Sequence, residues 1–240
     1  MTQIISGTSA IKNNVLSFAI KSKSKLKSNN SKSGESQEVY PFKNINDINN
    51  VSSYLKTKNI RDYTIFIVGI NTGLRCGDLL SLSWEKVLNN ISGNINDSVT
   101  IFEEKTNKKR NIEFNDLVLT LLTDYYLHEY YRLGTAPTGY LFKSKRANSE
   151  GINCVGVDHV RKMLKEAALA CDITFNVGTH SMRKTWGYHF FQTLTQNGNV
   201  DAIYMLQEFF NHSSVKVTKA YIGLQKEIER SMYQKIQLGN

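Results

Sequence analysis

Four short polar segments hold the residues of this chain best suited to chemistry. They are Thr72-Gly-Leu-Arg75-Cys-Gly-Asp78, Glu104-Lys105-Thr106-Asn-Lys108-Lys109, His180-Ser-Met-Arg183 and Asn211-His212, with Tyr221 nine residues after His212. An arginine presents a rigid, permanently charged fork that fits an oxyanion such as phosphate, where lysine offers only a mobile point charge. Histidine moves protons near neutral pH, and a tyrosine oxygen can serve as a nucleophile. Together these types suit holding an oxyanion and passing protons around it. Singly, each has a commonplace meaning. Arg75 and Asp78 alone would be an exposed i,i+3 ion pair worth little. The lysines would be a solvated loop, His180 a helix cap, and Tyr221 one packing group among 12 tyrosines. It is their joint order and spacing that reverses this.

The elements that must position these groups follow from apolar spacing. Ile45, Ile48, Val51, Tyr54 and Leu55 recur at helical intervals. The nearly apolar run from Asp62 to Ile70, stopped by Asn71-Thr-Gly73, predicts a buried helix with a glycine terminus. A short helix is expected from Gly77 to Leu82. Between Trp84 and Asn115 the period shifts towards two, predicting strands at 98–102 and 110–114 joined by the turn 106–109, so that Lys105 lies on a hairpin. Further helices are expected at 117–133, 157–171, 179–194, 201–210, 213–222 and about 226–236, with 139–142 extended. The fold class is mainly α with a small antiparallel β-sheet, an α+β arrangement.

Composition narrows the partners. The 240 residues carry a formal net charge of +9, which makes a polyanion the first partner to consider. Residues 1–40 hold six lysines against two glutamates. Lys21, Lys23, Lys25 and Lys27 lie in a serine-rich stretch with little to bury, so 21–38 reads as a flexible basic linker after a short helix at 11–20, and 1–40 as a basic arm. Residues 41–240 form the main domain. Cys76, Cys154 and Cys171 are too scattered for a disulfide framework or a zinc pair. No apolar run approaches the roughly 20 residues of a membrane span, and the amino terminus lacks the order of a signal peptide. A cytoplasmic protein is expected, with no membrane partner.

The four segments and Tyr221, in this order, resemble the tyrosine recombinase (phage integrase) family, whose catalytic domain carries Thr-Gly-Leu-Arg-x-x-Glu/Asp, a hairpin lysine, His-x-x-Arg and a Leu-Gly-His segment before a nucleophilic tyrosine. The resemblance covers roughly residues 41–225. It implies a site-specific DNA recombinase that cleaves and rejoins double-stranded DNA through a 3′-phosphotyrosyl intermediate, without metal, nucleotide or other cofactor. By that resemblance Tyr221 is the nucleophile, and Arg75 and Arg183 hold the phosphate oxygens. Lys105 protonates the leaving oxygen, His180 assists proton removal from Tyr221 or donates to the phosphate, and His212 hydrogen-bonds the phosphate and fixes its geometry. Asp78 orients the clamp from behind. Lys21, Lys23, Lys25, Lys27, Lys108 and Lys109 are expected to contact DNA. The resemblance further implies a tetramer on paired DNA sites, accessory DNA-bending proteins, and exchange of a C-terminal helix at about 224–238, whose residues 224, 228, 232 and 236 are apolar. Asn211 stands where the family has glycine, and asparagine tolerates the left-handed backbone this suggests. With 40 residues ahead of the main domain, the chain is similar to short members such as fimbrial inversion recombinases, for which salt-sensitive DNA binding is expected. A type IB topoisomerase and an inactive DNA-binding regulator of the same fold are the alternatives.

Overall fold

A helix apolar on nearly every side must sit at the centre of a domain. The computed structural model places α2 (Ile60–Thr72) there, with Ile65, Phe66, Ile67 and Val68 all buried. The structure describes residues 38–89, 91–148, 151–224, 231–235 and 239. The expected helix at 11–20, the linker and its lysines Lys21, Lys23, Lys25 and Lys27 lie outside these residues. The chain divides into Met1–Gln37 and Glu38–Asn240, and the second unit is described below.

Asn59 starts α2 by accepting hydrogen bonds from the Arg61 and Asp62 amides, and Gly73 ends it at φ 63°. Around it pack α1 (Ile45–Lys58), α3 (Cys76–Leu80), α5 (Asp116–Leu133) and α7 (Thr179–Gln196). Further helices among the described residues are α4 (Trp84–Val87), α6 (Val157–Ala170), α8 (Ala202–Phe210) and α9 (Val215–Tyr221). Strands β1 (Ser98–Phe102) and β2 (Lys109–Glu113) pair antiparallel with Val99 opposite Ile112, so both bury their side chains on one face. The main apolar core runs from Phe42 through α2 and Trp84 to Met182. A smaller cluster gathers Ile203, Leu206, Phe210, Ile222 and Leu224, with Trp186 and Tyr221 packed on it. Helix α7 therefore bridges the two clusters, contributing Met182 to one and Trp186 to the other.

Most expected elements are present within two residues of their predicted ends. Two features differ. A second antiparallel hairpin, β3 (Lys143–Asn148) with β4 (Gly151–Cys154), replaces the single expected sheet with two. Its sequence, Lys-Ser-Lys-Arg-Ala-Asn, has no alternating apolar pattern to betray a strand. Helix α4 interrupts the stretch read as period two, because Trp84 and Val87, three apart, both turn into the core. Of the expected terminal helix, 231–235 is helical, and the rest lies outside the described residues. In its stripe Leu224 is buried and Met232 exposed.

Candidate active site

Both predicted arginines converge on the end of α2. Gly73 reverses the chain there, and a Cβ added to it would fall 2.6 Å from the Trp186 ring, so both its conformation and its neighbour exclude a side chain. Arg75 follows as the N-cap of α3. Arg183, on α7, is 3% exposed and donates from Nη1 to the Gly73 carbonyl, a cation at a helix C-terminus. Its guanidinium lies 4.7 Å over the Phe210 ring and 5.7 Å from that of Phe209. Burial pushes its pKa down to about 10, which leaves it a cation at neutral pH.

Two buried carboxylates balance these charges. Glu103, 1% exposed, stands between two arginines, with Oε2 2.8 Å from Arg75 Nη1 and Oε1 3.1 Å from Arg110 Nη2. It also accepts from the Thr106 hydroxyl at 2.6 Å. Burial alone would raise its pKa. The hydrogen bonds from Thr106 and Arg75 and the charge of Arg110 outweigh this, and the carboxyl is held below its ordinary value. Arg110 continues across the site, donating to the Phe209 carbonyl and lying 4.2 Å over that ring. Asp78 is 3.8 Å from Arg75 through Oδ2, while its Oδ1 accepts from the Glu104 amide at 2.9 Å. It therefore pins the hairpin as well as facing the clamp.

The tyrosine completes the group. Tyr221 is the last residue of α9, and its hydroxyl lies 3.3 Å from His180 Nδ1 in the first turn of α7. Burial raises the phenol pKa, against the lowering effect of Arg183 and Arg75, so the group rests as a neutral phenol. Burial, reinforced by Lys184, Arg183, Arg75 and Lys105, holds the His180 pKa below its ordinary value, so its ring is a neutral acceptor at pH 7. The His212 ring centre is 4.9 Å from that of Tyr221, and its Nδ1 is 3.1 Å from Thr218 Oγ1. Burial and the two arginines lower its pKa too. Lys105, exposed on the hairpin turn, lines one open cleft with Arg75, Asp78, Glu104, His180 and Arg183.

A single phosphate-sized group in this cleft would meet Arg75, Arg183, Lys105 and His180, and His180 in turn contacts Tyr221. Residues 38–227 match the family described as Phage integrase family.

This chain belongs to the phage integrase family.

Among its relatives is the probable integrase/recombinase YoeC of Bacillus subtilis, 37% identical over 195 residues, covering 81% of this chain and 95% of that protein. Tyrosine recombinase XerD of Staphylococcus saprophyticus is 29% identical over 197 residues, 78% of this chain but 60% of its own length. In fold, the chain is similar to the site-specific recombinase XerH in its post-cleavage complex with palindromic difH substrate. The TM-score is 0.58 at 15% identity, over 86% of this chain and 56% of the other.

Of the six residues expected to act, Arg75, Lys105, His180 and Arg183 line one cleft with Asp78, while Tyr221 adjoins it through His180 and His212 through the Tyr221 ring. Asn211 adopts the left-handed conformation expected where the family has glycine, at φ 55° and ψ 48°. Lys108 reaches across to donate to the Asn211 side chain at 2.8 Å, tying the hairpin to the segment that carries His212. Lys109, at the start of β2, is exposed. Sequence reasoning missed Glu103, Arg110 and Lys184. Glu103 falls between the expected strand and turn and Arg110 reads as a strand residue, and what surrounds them comes from distant α3 and α8 residues such as Arg75 and Phe209. Lys184 carried one usable signal: it lies four residues after His180 and one after Arg183, on the helix face those two define.

Proposed function

We propose that this chain is a site-specific DNA recombinase in which Tyr221 attacks a backbone phosphate and retains the strand as a 3′-phosphotyrosyl ester. As the tyrosine oxygen bonds to phosphorus, its proton passes to the neutral His180 ring, and the bond from phosphorus to the 5′-oxygen breaks. Lys105 returns a proton to that leaving oxygen. Arg75 and Arg183 bind the non-bridging oxygens, whose negative charge grows as the transition state forms. His212, with Nδ1 held by Thr218, would offer its other ring nitrogen to the phosphate. A 5′-hydroxyl from a second strand reverses each step, and the conserved ester energy removes any need for a nucleotide.

The observation that carries this reading is the Tyr221 hydroxyl 3.3 Å from His180, a residue that lines one cleft with Arg75, Arg183 and Lys105. Relatives bearing the names integrase and recombinase favour strand exchange over simple relaxation of supercoils. The XerH neighbour was solved on its DNA substrate, which supports duplex DNA as the partner here. Lys109, Lys108 and the arm lysines would contact the backbone around the cut phosphate. Assembly as a tetramer on paired sites, accessory DNA-bending proteins and a cytoplasmic location complete the proposal. Among the described residues no helix is long and apolar enough to cross a membrane.

The test is capture of a nicked suicide duplex, made from sequences flanking the gene, in which cleavage releases a short strand and traps the adduct. The unaltered chain should yield a covalent protein–DNA band. Tyr221→Phe should bind the duplex equally well and yield none, whereas an adduct formed by that variant would overturn the assignment.

A further inference from the structure

Lys184 is a buried cation with no part in the reaction described above. Its residue is 7% exposed, and its ammonium donates to the Val39 carbonyl at 2.8 Å. Among the described residues, the one carboxylate within ion-pair distance is Glu38, 3.9 Å away on a side chain that is itself 60% exposed. Burying a charge is costly, and so loose a counterion returns little of that cost. Such a group persists where its field acts on something else. The ammonium lies 5.1 Å from the centre of the Tyr221 ring. A cation over an aromatic face is attracted to its electron density, and the attraction strengthens when the ring becomes an anion.

We propose that Lys184 is a positioning residue for the nucleophile, holding the Tyr221 ring from beneath and favouring its ionised form as the proton leaves for His180. This rests on the assignment of Tyr221 as nucleophile. The charged and titratable groups facing the pair come from every neighbouring element: His180 and Arg183 from α7 itself, Arg75 from the start of α3, Lys105 from the hairpin turn, and His212 from the α8–α9 connection. Glu103 and Asp78 are committed to Arg75, Arg110 and the hairpin. Lys184 differs from the other cations. Arg75, Arg183 and Lys105 face the cleft, where a phosphate would take up their charge. Lys184 is tied to the chain at Val39 and keeps its field on the tyrosine whether or not DNA is bound. The same charge also lowers the basicity of His180, which opposes the transfer, so the gain at Tyr221 rests on the ammonium's position over the ring.

The test is the pH dependence of single-turnover cleavage of the suicide duplex, with each variant normalised to its own plateau so that a smaller folded fraction leaves the midpoint unchanged. Lys184→Gln, which keeps a donor for the Val39 carbonyl but no charge, should cleave about tenfold more slowly at pH 7, the size of one well-placed cation–π contact. Its midpoint should move upward by about one pH unit. Lys184→Arg should restore most of the rate and the original midpoint. A fluorinated, more acidic tyrosine incorporated at position 221 should recover the rate of the Gln variant. An unmoved midpoint in Lys184→Gln, or an Arg variant as impaired as the Gln variant, would overturn the inference. Tyr221→Phe run alongside separates the two claims. Cleavage by that variant would remove the nucleophile assignment itself, and an inert Phe variant with an unmoved Gln midpoint would remove only the role of Lys184.

Discussion

The phenol of Tyr221 and the imidazole of His180 are displaced from their ordinary acidities in opposite directions, and burial is the leading cause of both shifts. A tyrosine held neutral needs an acceptor, and a histidine whose pKa is lowered remains one at pH 7. This fixes the sign of a pH prediction. Cleavage should hold steady from neutral pH down towards the ordinary histidine value of about 6.5 and fall only below it, when His180 gains its proton. Single-turnover rates across that range would check this, and a decline beginning above pH 7 would contradict the assignment of His180 as the neutral acceptor. The residues that the fold draws towards His180 were legible through the resemblance to the family, which named Arg75, Arg183 and Tyr221 in advance. The left-handed conformation of Asn211 was legible too, since asparagine is among the few residues that can replace a glycine there. Glu103 was not legible. A carboxylate beside a turn is ordinarily solvated, and nothing local in the sequence says that two arginines will cover it.

At the scale of elements, the β1–β2 hairpin is the piece that must be held still, since it carries Lys105 on an exposed turn. Contacts at Glu103, Glu104 and Lys108 hold it. Asp78 accepts from the Glu104 amide, Lys108 donates to Asn211, and Glu103 binds arginines on both sides while accepting from Thr106. Glu103→Ala leaves Arg75 and Arg110 facing each other with their shared counterion gone. Removing one member of a buried ionic group costs roughly 3–5 kcal/mol. The variant should lose that order of stability in chemical denaturation and cleave poorly even where it remains folded. Glu103→Ala with unchanged stability would show the carboxylate to be dispensable. Helices and the first hairpin followed from apolar period and from turn residues such as Asn71-Thr-Gly73. The second hairpin did not, because the β3 sequence Lys-Ser-Lys-Arg-Ala-Asn has no alternating apolar pattern to mark a strand.

For the whole molecule, the net charge of +9 and the basic cleft point to affinity dominated by phosphate contacts. If about 6–10 phosphates are neutralised, binding should weaken by a factor of about 10³–10⁵ between 50 and 200 mM salt. A titration by fluorescence anisotropy would measure the slope, and a flat response would mean that contacts other than ionic ones supply the affinity. Overall architecture was readable from sequence because one buried helix, α2, organises it, and its apolar run is unmistakable. What could not be read was the way α7 draws two apolar clusters together and sets four of the site's segments side by side. The most direct test of that convergence is mass spectrometry of the trapped protein–DNA adduct after digestion with protease and nuclease. The account predicts a peptide bearing a nucleotide esterified through its 3′-phosphate to the oxygen of Tyr221. A nucleotide on any other side chain, or one attached through a 5′-phosphate, would contradict it.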